Sequence, residues 1–192
     1  MTFEDFRALH PRTSKRKLQD FWRVYFEIAI PELDLWTKER QADFLAQVTH
    51  ECDRFHTMEE YASGKAYEGR ADLGNNMTGD GRKFKGRGYI QLTGRNNYVS
   101  FTRWYRKFEP DAPDFALQPE LIGQIPELAM WATVYFWKTR KLNSFTDKGQ
   151  FKQQTKKING GYKGLTERME WREAYLPLLT DIVNSKPYET RN

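Results

Sequence analysis

The chain has 192 residues, 39% hydrophobic and 30% charged. That is enough for one well-packed domain, and with no apolar run of eighteen residues it excludes a helix spanning a membrane. A net charge of +5 biases the surface toward polyanions, but no dense Lys/Arg block gives the footprint of a nucleic-acid binder, and the single cysteine, Cys52, excludes an intrachain disulfide.

Taken in chain order, Leu18, Phe21, Trp22, Tyr25 and Ile28 recur at helical spacing, and Pro31 is expected to end that helix. Thr37 is a good N-cap for a second helix running to about Cys52, with the stripe Phe44, Leu45 and Val48. Glu60 to Gly88 lacks periodicity and reads as a long ordered loop, a kind that is usually functional. Gly88 to Thr93 alternates in polarity. This predicts a short strand, with Tyr89, Gln91 and Thr93 on one face and Ile90 and Leu92 on the other.

A helix is expected over Asn96 to Lys107, then a Pro/Asp-rich connector from Glu109 to Gln118. Pro126 suits the first turn of a helix that is apolar nearly all round and therefore central. A short helix covers Phe151 to Ile158, closed by Asn159-Gly160-Gly161. Thr166 is placed as the cap of a last helix with the stripe Met169, Trp171, Leu176, Leu179 and Val183, bent at Pro177. The expectation is one domain over residues 1–192, mainly α (α+β) with a small strand element and a polar C-terminal tail from about residue 186.

The chemistry concentrates at His50-Glu51 and at Glu59-Glu60, eight and nine residues after Glu51. Glu51 borders the buried stripe of its helix and sits at the C-terminal end, where the helix dipole is negative. Both effects disfavour the charged carboxylate, as a glycosidase general acid requires. Glu60, in a loop, could activate water. Glu59 and Glu60 cannot both face one point, and the sequence leaves open which is used. Zinc chemistry fails on spacing, because the position four residues after His50 is Arg54. Neither His50, Cys52 and His56 nor the glycines from Gly79 to Gly88 match a metal, nucleotide or dinucleotide motif, so no metal or cofactor is expected.

HE followed nine residues later by Glu, then AYEGRADLGN, GDGRKFKGRGYIQLTGRNNY and KINGGYKGLTER, resembles glycoside hydrolase family 19, in its branch of phage endolysins and chitinase-like peptidoglycan hydrolases. The resemblance covers about residues 40 to 175. It implies a lysozyme-like, two-lobed helical fold and metal-free, single-displacement hydrolysis. It maps the general acid onto Glu51, the second carboxylate onto Glu60 and the water-holding hydroxyl onto Thr93. Substrate-binding positions fall on His50, Tyr89, Gln91, Asn97, Asn159 and Arg168. One departure is Cys52-Asp53-Arg54, where the family often has a small or glycine-rich triplet after HE.

The implied substrate is bacterial peptidoglycan, cut between N-acetylmuramic acid and N-acetylglucosamine by a monomer that inserts in no membrane. The N-terminal segment MTFEDFRALHP lacks the pattern of a signal peptide. The expectation is synthesis in the host cytoplasm, with action in the periplasm or cell wall after release that depends on a holin. A chitinase, a secretion-delivered antibacterial effector and an inactive sugar-binding relative are the alternatives.

Overall fold

The computed structural model describes residues 1–182; Val183 and the expected tail from about residue 186 lie outside the described residues. In chain order the helices are α1 (Phe3–Leu9), α2 (Lys15–Val24), α3 (Ile30–Glu32), α4 (Lys38–Glu51), α5 (Asp80–Lys83), α6 (Arg95–Tyr105), α7 (Leu121–Gln124), α8 (Pro126–Thr139), α9 (Asn143–Thr146), α10 (Phe151–Asn159) and α11 (Leu165–Tyr175). They form two compact units. The first is Met1–His56 with the described residues from Trp137 onward, and the second is Thr57–Phe136.

In the first unit, α1 is set by a capping box absent from the sequence reading. The Thr2 hydroxyl accepts from the Asp5 N–H at 3.2 Å, and the Asp5 carboxylate accepts from the Thr2 N–H at 2.8 Å. The helix buries Phe6 against Phe21 and Phe55, and the aromatic run continues through Tyr25 and Phe44 to Trp137. Aromatic residues make up 15% of the chain, and many of them are therefore core.

Pro31 does not end the helix before it. Tyr25–Ala29 widens into a π-turn, with the Ile30 N–H bonded to the Tyr25 carbonyl, and α3 continues with Pro31 in its first turn. The widening accommodates a residue that lacks an N–H and crowds the preceding turn.

The Thr37 hydroxyl caps α4 by accepting from the Arg40 N–H at 3.2 Å. From Gln41 to Thr49 every residue of α4 is buried, so this helix has no solvent face over that stretch. It packs against α11, and polar groups join the two: Arg172 to Asp43 at 2.5 Å and Tyr175 to Thr49 at 2.8 Å. The cap of α11 is Gly164, at φ +72°, rather than Thr166.

In the second unit the loop after Glu60 is stapled rather than slack. It contains single turns at Lys65–Tyr67 and Ala71–Leu73 and the short α5. The Glu68 carboxylate accepts from the N–H groups of Gly79 at 2.6 Å and Gly81 at 2.8 Å, and buried Asp80 takes the Arg95 guanidinium. Helix α6 packs its rings on α8, with Phe101 5.7 Å from Tyr135 and Trp104 6.1 Å from Trp131.

The expected strand over Gly88 to Thr93 is not one. The segment is a tight turn, closed where Arg87 and Leu92 exchange backbone hydrogen bonds of 3.1 and 2.7 Å. Gly88 and Gln91 sit at φ +79° and +55°, outside extended backbone, so side chains do not alternate: Tyr89, Ile90 and Leu92 are all buried. Among the described residues, β-structure is confined to the isolated bridges Glu59–Arg87 and Arg87–Leu92.

Candidate active site

In the first unit Glu51 is the last residue of α4, with its side chain 16% exposed. The residue that meets it is Arg168, on α11 and 1% exposed. The guanidinium donates through Nη2 to Glu51 Oε1 and through Nη1 to Gln47 Oε1 at 2.6 Å. Gln47 in turn donates to Gln154 Oε1 at 3.1 Å and Thr155 Oγ1 at 2.9 Å. A buried polar chain thus runs from α10 to one oxygen of Glu51 and fixes its rotamer, leaving Oε2 outside that chain. The sequence reading set only burial and the helix end around Glu51; the structure adds a counter-charge. Arg168, expected among the substrate-binding positions, is 1% exposed and holds Glu51.

His50 turns to Glu167, with Nδ1 2.8 Å from Oε2, and Oε1 of the same carboxylate accepts from Arg54 at 2.9 Å. Partial burial pushes the Glu167 carboxyl up, but Arg54 and His50 outweigh it and hold it below its ordinary value. A Cβ at Gly164 would lie 2.2 Å from His50 Cε1, which accounts for a glycine in KGLTER. Asn159 ends α10 and is exposed.

Beyond Glu51 the backbone is strained. Asp53, Arg54 and Phe55 have φ of +47°, +56° and +67°, a left-handed conformation that costs an L-residue roughly 1–2 kcal/mol. Two of its carbonyls and the one that follows it are held: His56 Nδ1 is 2.6 Å from Asp53 O, the Thr13 hydroxyl donates to Arg54 O at 2.7 Å, and Lys17 donates to His56 O at 2.5 Å. Cys52 is fully buried, its thiol directed at the Val48 carbonyl, and burial pushes that thiol well up.

In the second unit the Glu60 carboxylate is held by two neutral donors, the Tyr67 hydroxyl on Oε1 at 3.0 Å and the Gly86 N–H on Oε2 at 3.1 Å. Glu59 differs. Lys85 at 2.7 Å and Arg87 at 3.6 Å flank it. Partial burial raises its carboxyl, but these cations prevail and hold it below its ordinary value. Gly86 is where the group converges: a Cβ there would lie 2.7 Å from Gln91 Oε1 and 3.3 Å from Thr93 Oγ1. The Thr93 hydroxyl donates to Gln91 O at 2.8 Å, and Asn97 Nδ2 donates to Thr93 O at 2.6 Å.

Glu60, Gln91, Thr93 and Asn97 are therefore neighbours in the second unit. Tyr89 is 3% exposed and belongs to the core, which corrects its placing on a ligand face. The sequence reading missed Tyr67, Gly86, Glu167 and Gln47. Tyr67 stands inside AYEGR and Gly86 inside KGRGYIQ, but nothing in their spacing marks a contact with Glu60. Gln47 carries no signal beyond a polar residue on a buried face. Among the described residues, no three His, Cys, Asp or Glu side chains gather as metal ligands, and no helix is long and apolar enough to cross a membrane.

No family model matches the chain. It is 28% identical over 123 residues to a glycosyl hydrolase family 19 domain-containing protein of Haemophilus influenzae, a match covering 64% of this chain and 56% of that protein. It is 29% identical over 124 residues to an endochitinase of Arabidopsis thaliana, covering 65% of this chain and 40% of that protein. The matches thus span about half the length of these relatives. The crystal structure of a chitinase C variant superposes with a TM-score of 0.71 at 16% identity, covering 96% of this chain and 95% of that one, a likeness of fold. The chain is thus similar in sequence to a glycosyl hydrolase family 19 domain-containing protein and in its helical fold to a chitinase C.

Proposed function

We propose that this chain is a glycoside hydrolase that cleaves the β-1,4 bond between N-acetylmuramic acid and N-acetylglucosamine in bacterial peptidoglycan, by single displacement. Glu51 serves as the general acid, Glu60 activates the water, and the Thr93 hydroxyl orients it. The observation that carries this reading is the contrast between the two carboxylates. Glu51 hangs on a buried, charged chain through one oxygen, while Glu60 is held by neutral donors only. Two carboxyls in unlike surroundings can take unlike roles, and the HE motif is what assigns the acid role to Glu51. The same contrast selects Glu60 over Glu59, whose charge is already engaged by Lys85 and Arg87. His50, Gln91, Asn97 and Asn159 are assigned to the sugar chain.

The net charge of +5 suits an anionic envelope. We place the protein's action in the periplasm or cell wall, reached by release through a holin. A second reading, hydrolysis of chitin, is favoured by the names of the relatives, an endochitinase and a chitinase C. Mass spectrometry of products from purified peptidoglycan and from chitin oligomers separates them. Muropeptides with a new reducing N-acetylmuramic acid end and an inverted anomer support the proposal; release of free stem peptides, or cleavage of chitin alone, refutes it.

A further inference from the structure

The strained turn after Glu51 presents a side chain that the backbone does not need. Glycine would take φ +56° without penalty, yet position 54 holds arginine. The Arg54–Glu167 pair does not account for it, since Arg54 is 46% exposed there and exposed pairs contribute little. What Arg54 does border is a cavity of about 370 Å³ in the first unit. Leu9, Pro11 and Trp171 line it as apolar surface, with the Arg54 guanidinium 5.8 Å from the Trp171 ring centre. Arg12 and His56 complete the basic side. Buried His10 also lines it, and its Nδ1 has no hydrogen-bond partner.

A second cavity of about 350 Å³ shares His10, Pro11 and Thr13 and adds Lys15. Neither Arg12 nor Lys15 has an ion-pair partner among the described residues. The Glu167 carboxylate ties this region to the site, because it holds Arg54 with one oxygen and His50 with the other.

We propose that these neighbouring cavities bind the acidic peptide carried by a peptidoglycan strand, with Arg54 and Arg12 on its carboxylates and the Leu9–Pro11–Trp171 surface under its alanine methyls. Chitin is neutral along its whole length and gives such cations nothing to hold, so Arg54 is a specificity-determining residue. This rests on the peptidoglycan reading above.

The test is calorimetric titration of the full chain with a free stem tetrapeptide (L-alanine, D-glutamate, diaminopimelate, D-alanine) and with the same peptide amidated at its carboxyls. The acidic peptide is expected to bind at least tenfold tighter than the amidated one. Arg54→Gly and Arg12→Gln should each weaken it about tenfold, the size of one lost charge-assisted hydrogen bond. The thermal midpoint of Arg54→Gly should be equal or higher, because glycine relieves the left-handed turn. Equal binding of the two peptides, no effect of either substitution, or tighter binding of a glycerol-phosphate polymer than of the peptide would each overturn the inference. The activity reading fails separately: a wild-type protein that releases no reducing ends from peptidoglycan refutes that reading, while the titration still decides the cavity.

Discussion

At the scale of single residues, Arg168 changes what a substitution at Glu51 does. Glu51→Gln removes the proton donor, and general acid groups contribute roughly 10²–10⁴-fold. It also leaves the 1% exposed Arg168 guanidinium facing a neutral amide. A loss of about 1–3 kcal/mol in stability is expected beside the loss of hydrolysis. Activity should therefore be assayed well below the variant's own melting point, with both read on one preparation. Near-normal turnover by the folded variant would remove Glu51 from the mechanism. Glu60 and Glu59 should separate in the opposite sense. Glu60→Gln abolishes turnover with little change in melting, whereas Glu59→Gln, which removes the carboxylate charge beside Lys85 and Arg87, leaves turnover close to wild type. A reversed pattern would move the second carboxylate by one residue.

Among the elements, the turn from Gly88 to Gln91 shows how polarity patterning misleads. Tyr89-Ile90-Gln91-Leu92-Thr93 alternates in polarity as a half-buried strand does, but polarity carries no information about φ, and two positive φ values fold the segment back on itself. The neighbours of Thr93 follow from that turn. Its hydroxyl already donates to the Gln91 carbonyl, so Thr93→Ala should lower turnover and also cost about 0.5–1.5 kcal/mol. Leu92 is fully buried, and Leu92→Ala should cost about 2–5 kcal/mol. Paired melting and turnover measurements on the two variants decide this; a Thr93→Ala protein with unchanged turnover would leave Thr93 as a turn residue only. By contrast α4 was legible from Thr37 to Glu51, because a cap and a periodic apolar stripe are local signals. The capping box of α1 was equally local and was passed over.

For the molecule as a whole, the helical class and the motif-bearing segments were readable because periodicity and motif residues lie close in sequence. The buried chain from Gln154 through Gln47 and Arg168 to Glu51 was not, since its hydrogen-bonded pairs stand 107 to 121 positions apart and meet only in the fold. His10 was unreadable for the same reason. Its Nε2 lies 2.7 Å from the Tyr175 hydroxyl, and burial, with Arg54 and His56 nearby, drives the ring down to about 3. The unfolded chain takes up this proton near its ordinary 6.5, so it binds a proton that the fold refuses. Stability should fall as pH drops from about 6.5 toward 3, by up to roughly 1.4 kcal/mol per pH unit from this residue. His10→Gln, which cannot titrate, should show a flatter decline in urea midpoint between pH 7 and pH 4. Parallel curves would show that His10 is not responsible.

The lone thiol of Cys52 adjoins Glu51 in sequence, sealed from solvent and engaged with the Val48 carbonyl. A disulfide reagent can reach it only when the end of α4 opens. The labelling rate under native conditions therefore counts how often the segment carrying the general acid comes apart, with no substitution and no attached probe. The same seal means that copies carried into an oxidising space do not cross-link through this residue while they stay folded.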